Sequence, residues 1–308
     1  MISRIIRNIS RFLIWGFFRP LSPIIPPAAM WRIIHCLSPI APVVFRKRIK
    51  ELECEAEFTG LSGKGTAKKA IIEHILNETD IFYFSKPSKL RRTADFENHE
   101  VLEKCPEGKI LFISHFGPNA GIIPALSSIS GYHQVGLSPT DLVKENDITD
   151  KAQLKILRIK DRLFERTGAD FISHETGLRQ ALAYLRRGHT VGIAADGRAG
   201  RKFIKAKFLG KDAYFSEGPL KLAFITGASI IPVFPVRQGD RIKICFTPPL
   251  NCGTEGLTKE DFMGAVLQRY AGILESRVRN QPHCYLYYLY LCRKHTYGRP
   301  NSFFAYEN

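Results

Sequence analysis

The sequence has no CxxC pair, although it carries seven cysteines: Cys36, Cys54, Cys105, Cys245, Cys252, Cys284 and Cys292. Their scatter and odd number exclude a zinc ribbon and a disulfide scaffold, and they fit a chain facing a reducing compartment. No His, Asp or Glu cluster has metal-ligand spacing, so no metal or other cofactor is implied. No uninterrupted apolar run approaches the ~20 residues that a membrane-crossing helix needs. There is no internal repeat or low-complexity tract. With 44% hydrophobic and 24% charged residues, this excludes a collagen, a coiled coil or a wholly disordered chain. Acid is absent from the N-terminus, where no Asp or Glu precedes Glu51.

What is present is positive charge. Across 308 residues, 45 Lys and Arg stand against 29 Asp and Glu, a formal charge of +16. Such an excess points to a polyanionic neighbour: nucleic acid, phospholipid headgroups or a phosphorylated substrate. No nucleic-acid-binding motif appears, and the bases cluster beside apolar segments rather than along one helix, so nucleic acid is set aside.

Residues 1–50 read as a separate, basic, amphipathic helical segment. Ile2, Ile5, Ile6, Ile9, Phe12 and Leu13 share one helical face, with Arg4, Arg7 and Arg11 opposite. FLIWGFF (12–18) is apolar nearly all round, and the run 33–45 ends in the basic cluster 46–50. This pattern fits a helix lying in a membrane interface beside anionic headgroups. Three other readings compete: a helix docked on the protein's own core, a span, and a signal peptide. Arg19, Pro20, Pro23, Pro26, Pro27 and Arg32 break any span.

From about residue 60, helical and strand patterns alternate. Strands are expected at 109–114, 134–137, 170–173, 190–195, 203–208, 229–236 and 241–246. Helices are expected at 65–86, 118–130, 148–167, 175–187, 217–226, 259–278 and 282–293. The alternation predicts an α/β domain over 55–297, a single mixed sheet flanked by helices, with 298–308 as a tail. In such sheets function collects where strands end and helices begin.

Two junctions stand out. At ILFISHFGPNAG, His115 follows a buried strand and precedes a Gly117-Pro118 turn. A histidine there can serve as a base, and amides at 117–119, Gly117 and Asn119 among them, could hold an oxyanion. The bland alternative is a structural strand-end histidine. At the second junction Asp196-Gly197-Arg198 is followed by Gly200, Arg201, Lys202, Lys205 and Lys207. Glycines let a ligand approach the backbone, and Arg198, Arg201, Lys205 and Lys207 would meet phosphate or an acidic surface. The alternative is a solvated basic hairpin.

SHFGPNAG resembles the histidine block of the late acyltransferases of lipid A biosynthesis, within the lysophospholipid acyltransferase superfamily. The typical family block reads HFGNWE; its histidine falls on His115 and its carboxylate position on Ala120. In the family that carboxylate orients the histidine, and here the next acid after His115 is Asp141. A different carboxylate, Glu175 or Asp196, could take the role. The loop after Asp196 is similar to the family's second block, which helps build the donor or phosphorylated-acceptor site. FSEGPLKLAFITGASIIPVFPVR (215–237) matches best, with Gly218-Pro219 and Arg237 in expected places, and QPHCYLYYLY (281–290) resembles the closing aromatic segment.

The resemblance implies an acyltransferase on the cytoplasmic face of the inner membrane, peripheral or monotopic. It would take an acyl group from acyl carrier protein or acyl-CoA to a phosphorylated lipid acceptor, lipid A or a lysophospholipid, with an anionic membrane surface as a further partner. His115 would be the base, and Asp196, Arg198, Arg201, Lys205, Lys207, Gly218 and Arg237 would bind substrate. Two alternatives arise from the missing carboxylate: aminoacyl transfer to lipid A from a carrier protein, and a catalytically weak lipid-binding relative.

Overall fold

The computed structural model describes residues 12–105, 107–136, 150–173, 177–251, 256–296, 299 and 302–305. Seven strands form one mixed sheet: β1 (Ala94–Glu97), β2 (Lys109–Ile113), β3 (Tyr132–Gly136), β4 (Asp170–Ser173), β5 (Thr190–Ala194), β8 (Ser229–Gln238) and β9 (Arg241–Phe246). Their order is β1-β9-β8-β2-β5-β3-β4. The strands from β8 to β4 run parallel, while β9 turns back antiparallel to β8 and carries β1 parallel to itself.

β2 shows why its sequence is continuously apolar. Ile110 and Phe112 enter one core cluster and Leu111 and Ile113 another, so the strand is buried on both faces. The long helices are α1 (Pro27–Leu37), α2 (Arg46–Thr59), α3 (Thr66–Asp80), α4 (Lys151–Phe164), α5 (Gly177–Leu185), α6 (Gly218–Thr226), α7 (Lys259–Asn280) and α8 (His283–Thr296). α7 covers the first face through Val266, Leu267, Tyr270 and Leu274. α3 covers the second through Ile71, Ile75 and Leu76. α8 serves both, sending Tyr285 and Leu289 to one cluster and Leu286 and Tyr290 to the other.

Several expectations are revised. The boundary at residue 50 falls inside α2, and Ile14, Phe18, Met30, Trp31 and Ile34 join the same core cluster as Ile113 and Val233. The segment therefore docks on the domain instead of standing apart; the amphipathic face within 2–13 lies almost wholly outside the described residues. The C-terminal stretch is not a loose tail: Phe303 and Phe304 are buried in the core, and Phe304 bridges Ala213. The expected helix 118–130 shrinks to Ile123–Leu126, because the preceding loop is fastened elsewhere. Sequence reading missed β1 and also β7 (Lys211–Ser216), which pairs with β6 (Phe203–Phe208) in a separate hairpin. Its two-residue turn puts both Leu209 (φ 52°) and Gly210 (φ 74°) in the left-handed region. A leucine is an unusual choice there, and its N–H is held by the Glu275 carboxylate at 2.6 Å.

His74 on α3 stacks flat against Tyr287 on α8, ring centroids 3.9 Å apart. Burial pushes its imidazole down to about 4, with Lys160 and Arg48 adding to the effect and Glu78 opposing it. The folded value lies below the ordinary 6.5, so the stability tied to neutral His74 is present above pH 6.5 and is withdrawn as pH falls toward 4. Urea unfolding at pH 7 and pH 4.5 should show His74→Gln losing less stability than the wild type, by at most about 3 kcal/mol. Equal losses would remove His74 from the acid sensitivity.

Candidate active site

The site is built by strand register. β2 and β5 are adjacent and parallel with Ile113 opposite Ala194, and the Ala195 N–H donates to the Ile113 carbonyl. Two residues beyond that pair lie His115 and Asp196, thrown off neighbouring strands at the same end of the sheet. The imidazole Nδ1 is 2.8 Å from Asp196 Oδ1, and the His115 backbone N–H donates to Oδ2 at 2.8 Å. Tyr285 from α8 donates its hydroxyl to the same Oδ2 at 2.8 Å. The Asp196 side chain has no exposed surface, whereas that of His115 is 38% exposed.

Burial would raise the Asp196 carboxyl, but the adjacent His115, its two hydrogen bonds and the Tyr285 hydroxyl hold it below the usual value. An ionised carboxylate only accepts, so Nδ1 carries the proton and Nε2 is left as the accepting nitrogen. Among the described residues nothing bonds to Nε2. The arrangement is a partly exposed imidazole held through one nitrogen by a buried carboxylate, a geometry that suits proton transfer. Asp196 is thus wholly buried and meets His115, the contact expected of a carboxylate at position 120, and is not exposed as a substrate ligand would be. Glu175, the other candidate, lies outside the described residues.

The loop after His115 is stitched down on all sides. Gly117 has φ 56°, and a Cβ there would lie 2.6 Å from the Pro235 carbonyl oxygen. Its N–H donates to the Cys284 carbonyl of α8 at 2.8 Å. Asn77 of α3 brackets the turn, donating to the Gly117 carbonyl and accepting from the Ala120 N–H. The Asn119 N–H donates to the Gly117 carbonyl, and Pro118 has no N–H. The amides expected to hold an oxyanion are therefore already engaged, which corrects the reading of Gly117 and Asn119.

The second junction divides. Arg198 is structural: its guanidinium donates to the carbonyls of Asp196, Ser302 and Tyr214 and lies over the rings of Phe203 and Phe303. Lys205 and Lys207 are exposed, and both pair with Asp212. Arg201 is exposed and makes no hydrogen bond or ion pair among the described residues. Gly218 opens α6, where a Cβ would come within 3.1 Å of Leu178. Arg237 is buried over Trp31, 2.8 Å from Asp80 and 3.6 Å from Glu73, so it cements the core instead of meeting substrate. Two clefts of about 660 and 570 Å³ adjoin at Pro248 and Pro249, and neither is lined by His115. Among the described residues no three His, Cys, Asp or Glu side chains converge as a metal site.

Sequence reading passed over Tyr285, Tyr288 and Asn77. The two tyrosines left a signal, three residues apart on one helical face; Asn77 left none.

The sequence model of the bacterial lipid A biosynthesis acyltransferase family matches residues 70–294, a span that contains both strand ends and α8. The chain belongs to this family. It is an acyltransferase, and the family assigns it to lipid A biosynthesis. Among solved structures it is similar to a 1-acyl-sn-glycerophosphate acyltransferase from Thermotoga maritima, at 13% identity and a TM-score of 0.37, over 81% of this chain and 96% of that one. No curated protein matches the chain.

Within this acyltransferase, Arg198→Ala should act on stability and not on substrate affinity. It removes the donors to the Asp196, Tyr214 and Ser302 carbonyls and the cation against Phe303, so limited proteolysis should cut around Phe303 faster while KM is unchanged. A raised KM with unaltered protease resistance would restore the ligand role.

Proposed function

We propose that the chain is a membrane-associated acyltransferase that moves an acyl group from a thioester donor, acyl carrier protein or acyl-CoA, to a hydroxyl or amine of a phosphorylated lipid, lipid A or a lysophospholipid. The observation that carries this reading is the His115–Asp196 pair, an oriented base at the open end of the sheet in a family of acyltransferases. His115 Nε2 takes the proton of the acceptor hydroxyl as its oxygen attacks the thioester carbonyl. The tetrahedral intermediate collapses, the C–S bond breaks, and the departing thiolate receives the proton back from the imidazolium. Asp196 keeps the ring in the required tautomer and balances its charge in between.

His115→Ala should abolish transfer, and Asp196→Asn should lower kcat by about 10²–10⁴ with the fold retained. Ala120→Glu should bring no gain, because the carboxylate's place is already filled. Single-turnover transfer, read as the mass increase of the acceptor lipid, measures all three. Full activity in Asp196→Asn would break the dyad reading, and a gain in Ala120→Glu would mean that the site is a weakened copy of HFGNWE.

Membrane attachment is supported by the docked N-terminal segment, which is apolar on two sides. Met30, Trp31 and Ile34 of α1 face the core, while Ile33 and Leu37 on the opposite side are exposed, as are Phe17, Ile24, Ile40 and Val43. Arg46, Lys47 and Lys50 are exposed beside them, and each basic residue at an anionic surface is worth about 1 kcal/mol. No single described helix is long and apolar enough to cross a membrane, and the proposed attachment is interfacial. Deleting residues 1–50 would open the core, so the cleaner test is Ile40→Glu with Val43→Glu. This variant should stay folded and lose sedimentation with vesicles of phosphatidylcholine and phosphatidylglycerol. Undiminished binding would place the attachment elsewhere.

A further inference from the structure

The His115–Asp196 bond leaves one freedom open. A ring tethered through Nδ1 can still pivot about that bond, and each pivot moves Nε2 away from the position where a proton must be taken. In this chain Tyr288 closes that freedom. Its ring lies parallel to the imidazole, interplanar angle 0° and centroids 4.2 Å apart. Its hydroxyl donates to the backbone carbonyl of Asp196, so the same side chain grips both partners. Three residues earlier on the same face of α8, Tyr285 donates to Asp196 Oδ2, and beside it the Cys284 carbonyl accepts the Gly117 N–H.

We propose that Tyr288 is the positioning residue for the His115 imidazole, and that α8 is the element that aligns base and carboxylate through Tyr288 and Tyr285. The proposal rests on the reading of His115 as the base. The flat face of Tyr288 fixes the ring torsion that the hydrogen bond cannot. Its π-cloud also lies against the imidazole when the second proton arrives, where a cation over an aromatic face is favoured. Tyr285 supplies the buried carboxylate with a donor that water cannot reach it to supply. The role differs from packing in one respect: packing needs volume at position 288, positioning needs a planar face.

The test compares Tyr288→Phe, which keeps the face and loses the hydroxyl, with Tyr288→Leu, which loses both. Misplacement of a catalytic group by about an ångström costs on the order of 10²-fold in rate. Tyr288→Leu should therefore lower kcat by roughly 10- to 100-fold with KM unchanged, while Tyr288→Phe stays within about threefold of wild type. The low-field proton resonance of His115 Nδ1–H, identified by its loss in His115→Ala, should persist in Tyr288→Phe and broaden or vanish in Tyr288→Leu. If Tyr288→Leu does not fold, Tyr288→Met fills similar volume without a plane and carries the same expectation. A leucine or methionine variant with wild-type kcat and an unchanged Nδ1–H signal overturns the positioning role. Turnover that survives His115→Ala overturns the base on which it rests, a failure visible in the control whatever Tyr288 does.

Discussion

A carboxylate stripped of water must be given hydrogen bonds by the protein, and the open end of this sheet is organised around meeting that demand for Asp196. Two donors come from His115, one from its backbone and one from its ring, and a third comes from Tyr285. Leaving such a charge buried and unpaired costs several kcal/mol, so the partners are as constrained by Asp196 as it is by them. The consequence is a fixed imidazole tautomer, since a permanent acceptor on Nδ1 determines which nitrogen is free. The contacts that orient the His115 ring also tie the two strand ends together.

Ala120 stands where the resemblance to the HFGNWE block expects a carboxylate, and the carboxylate that meets His115 is Asp196. Here residues 117–120 form a non-helical turn tied by Asn77 and the Cys284 carbonyl, with the Pro235 carbonyl close against Gly117. Gly121 is pressed against Asp80, where a Cβ would lie 2.8 Å from a carboxylate oxygen. The acid instead arrives across the sheet, from the equal overhang of β2 and β5 beyond the paired Ile113 and Ala194. The price is dependence on sheet register, because a slip of one residue would turn Asp196 to the other face.

The N-terminal segment is tied to the same framework by a second buried polar group. Trp31 donates to Asp80 at 2.8 Å, Arg237 pairs with Asp80 and approaches Glu73, and its guanidinium lies over the Trp31 ring. α1, α3 and β8 are thereby joined, and α3 is also the helix whose Asn77 grips the loop after His115. The segment proposed to touch the membrane is thus mechanically continuous with the proposed active site, through side chains of one helix.

The sequence by itself determined the class of fold, the family and the two strand-to-loop junctions, because these depend on local periodicity and on short motifs. Apolar runs at 109–114 and 190–195 are legible as buried strands, and the glycine-bearing turn after each is legible as a place where a strand delivers a side chain. It did not determine what the charged residues do. Arg198, Arg237 and the lysines 205 and 207 look alike in a string; burial and partners separate a tail clamp, a core ion pair and a solvated hairpin. Nor could it choose Asp196 as the partner of His115, eighty-one positions away, since that pairing exists only once β5 lies beside β2 in its particular register. Tyr285 and Tyr288 enter for the same reason: long-range contacts are set by packing, and packing is decided by the whole chain at once.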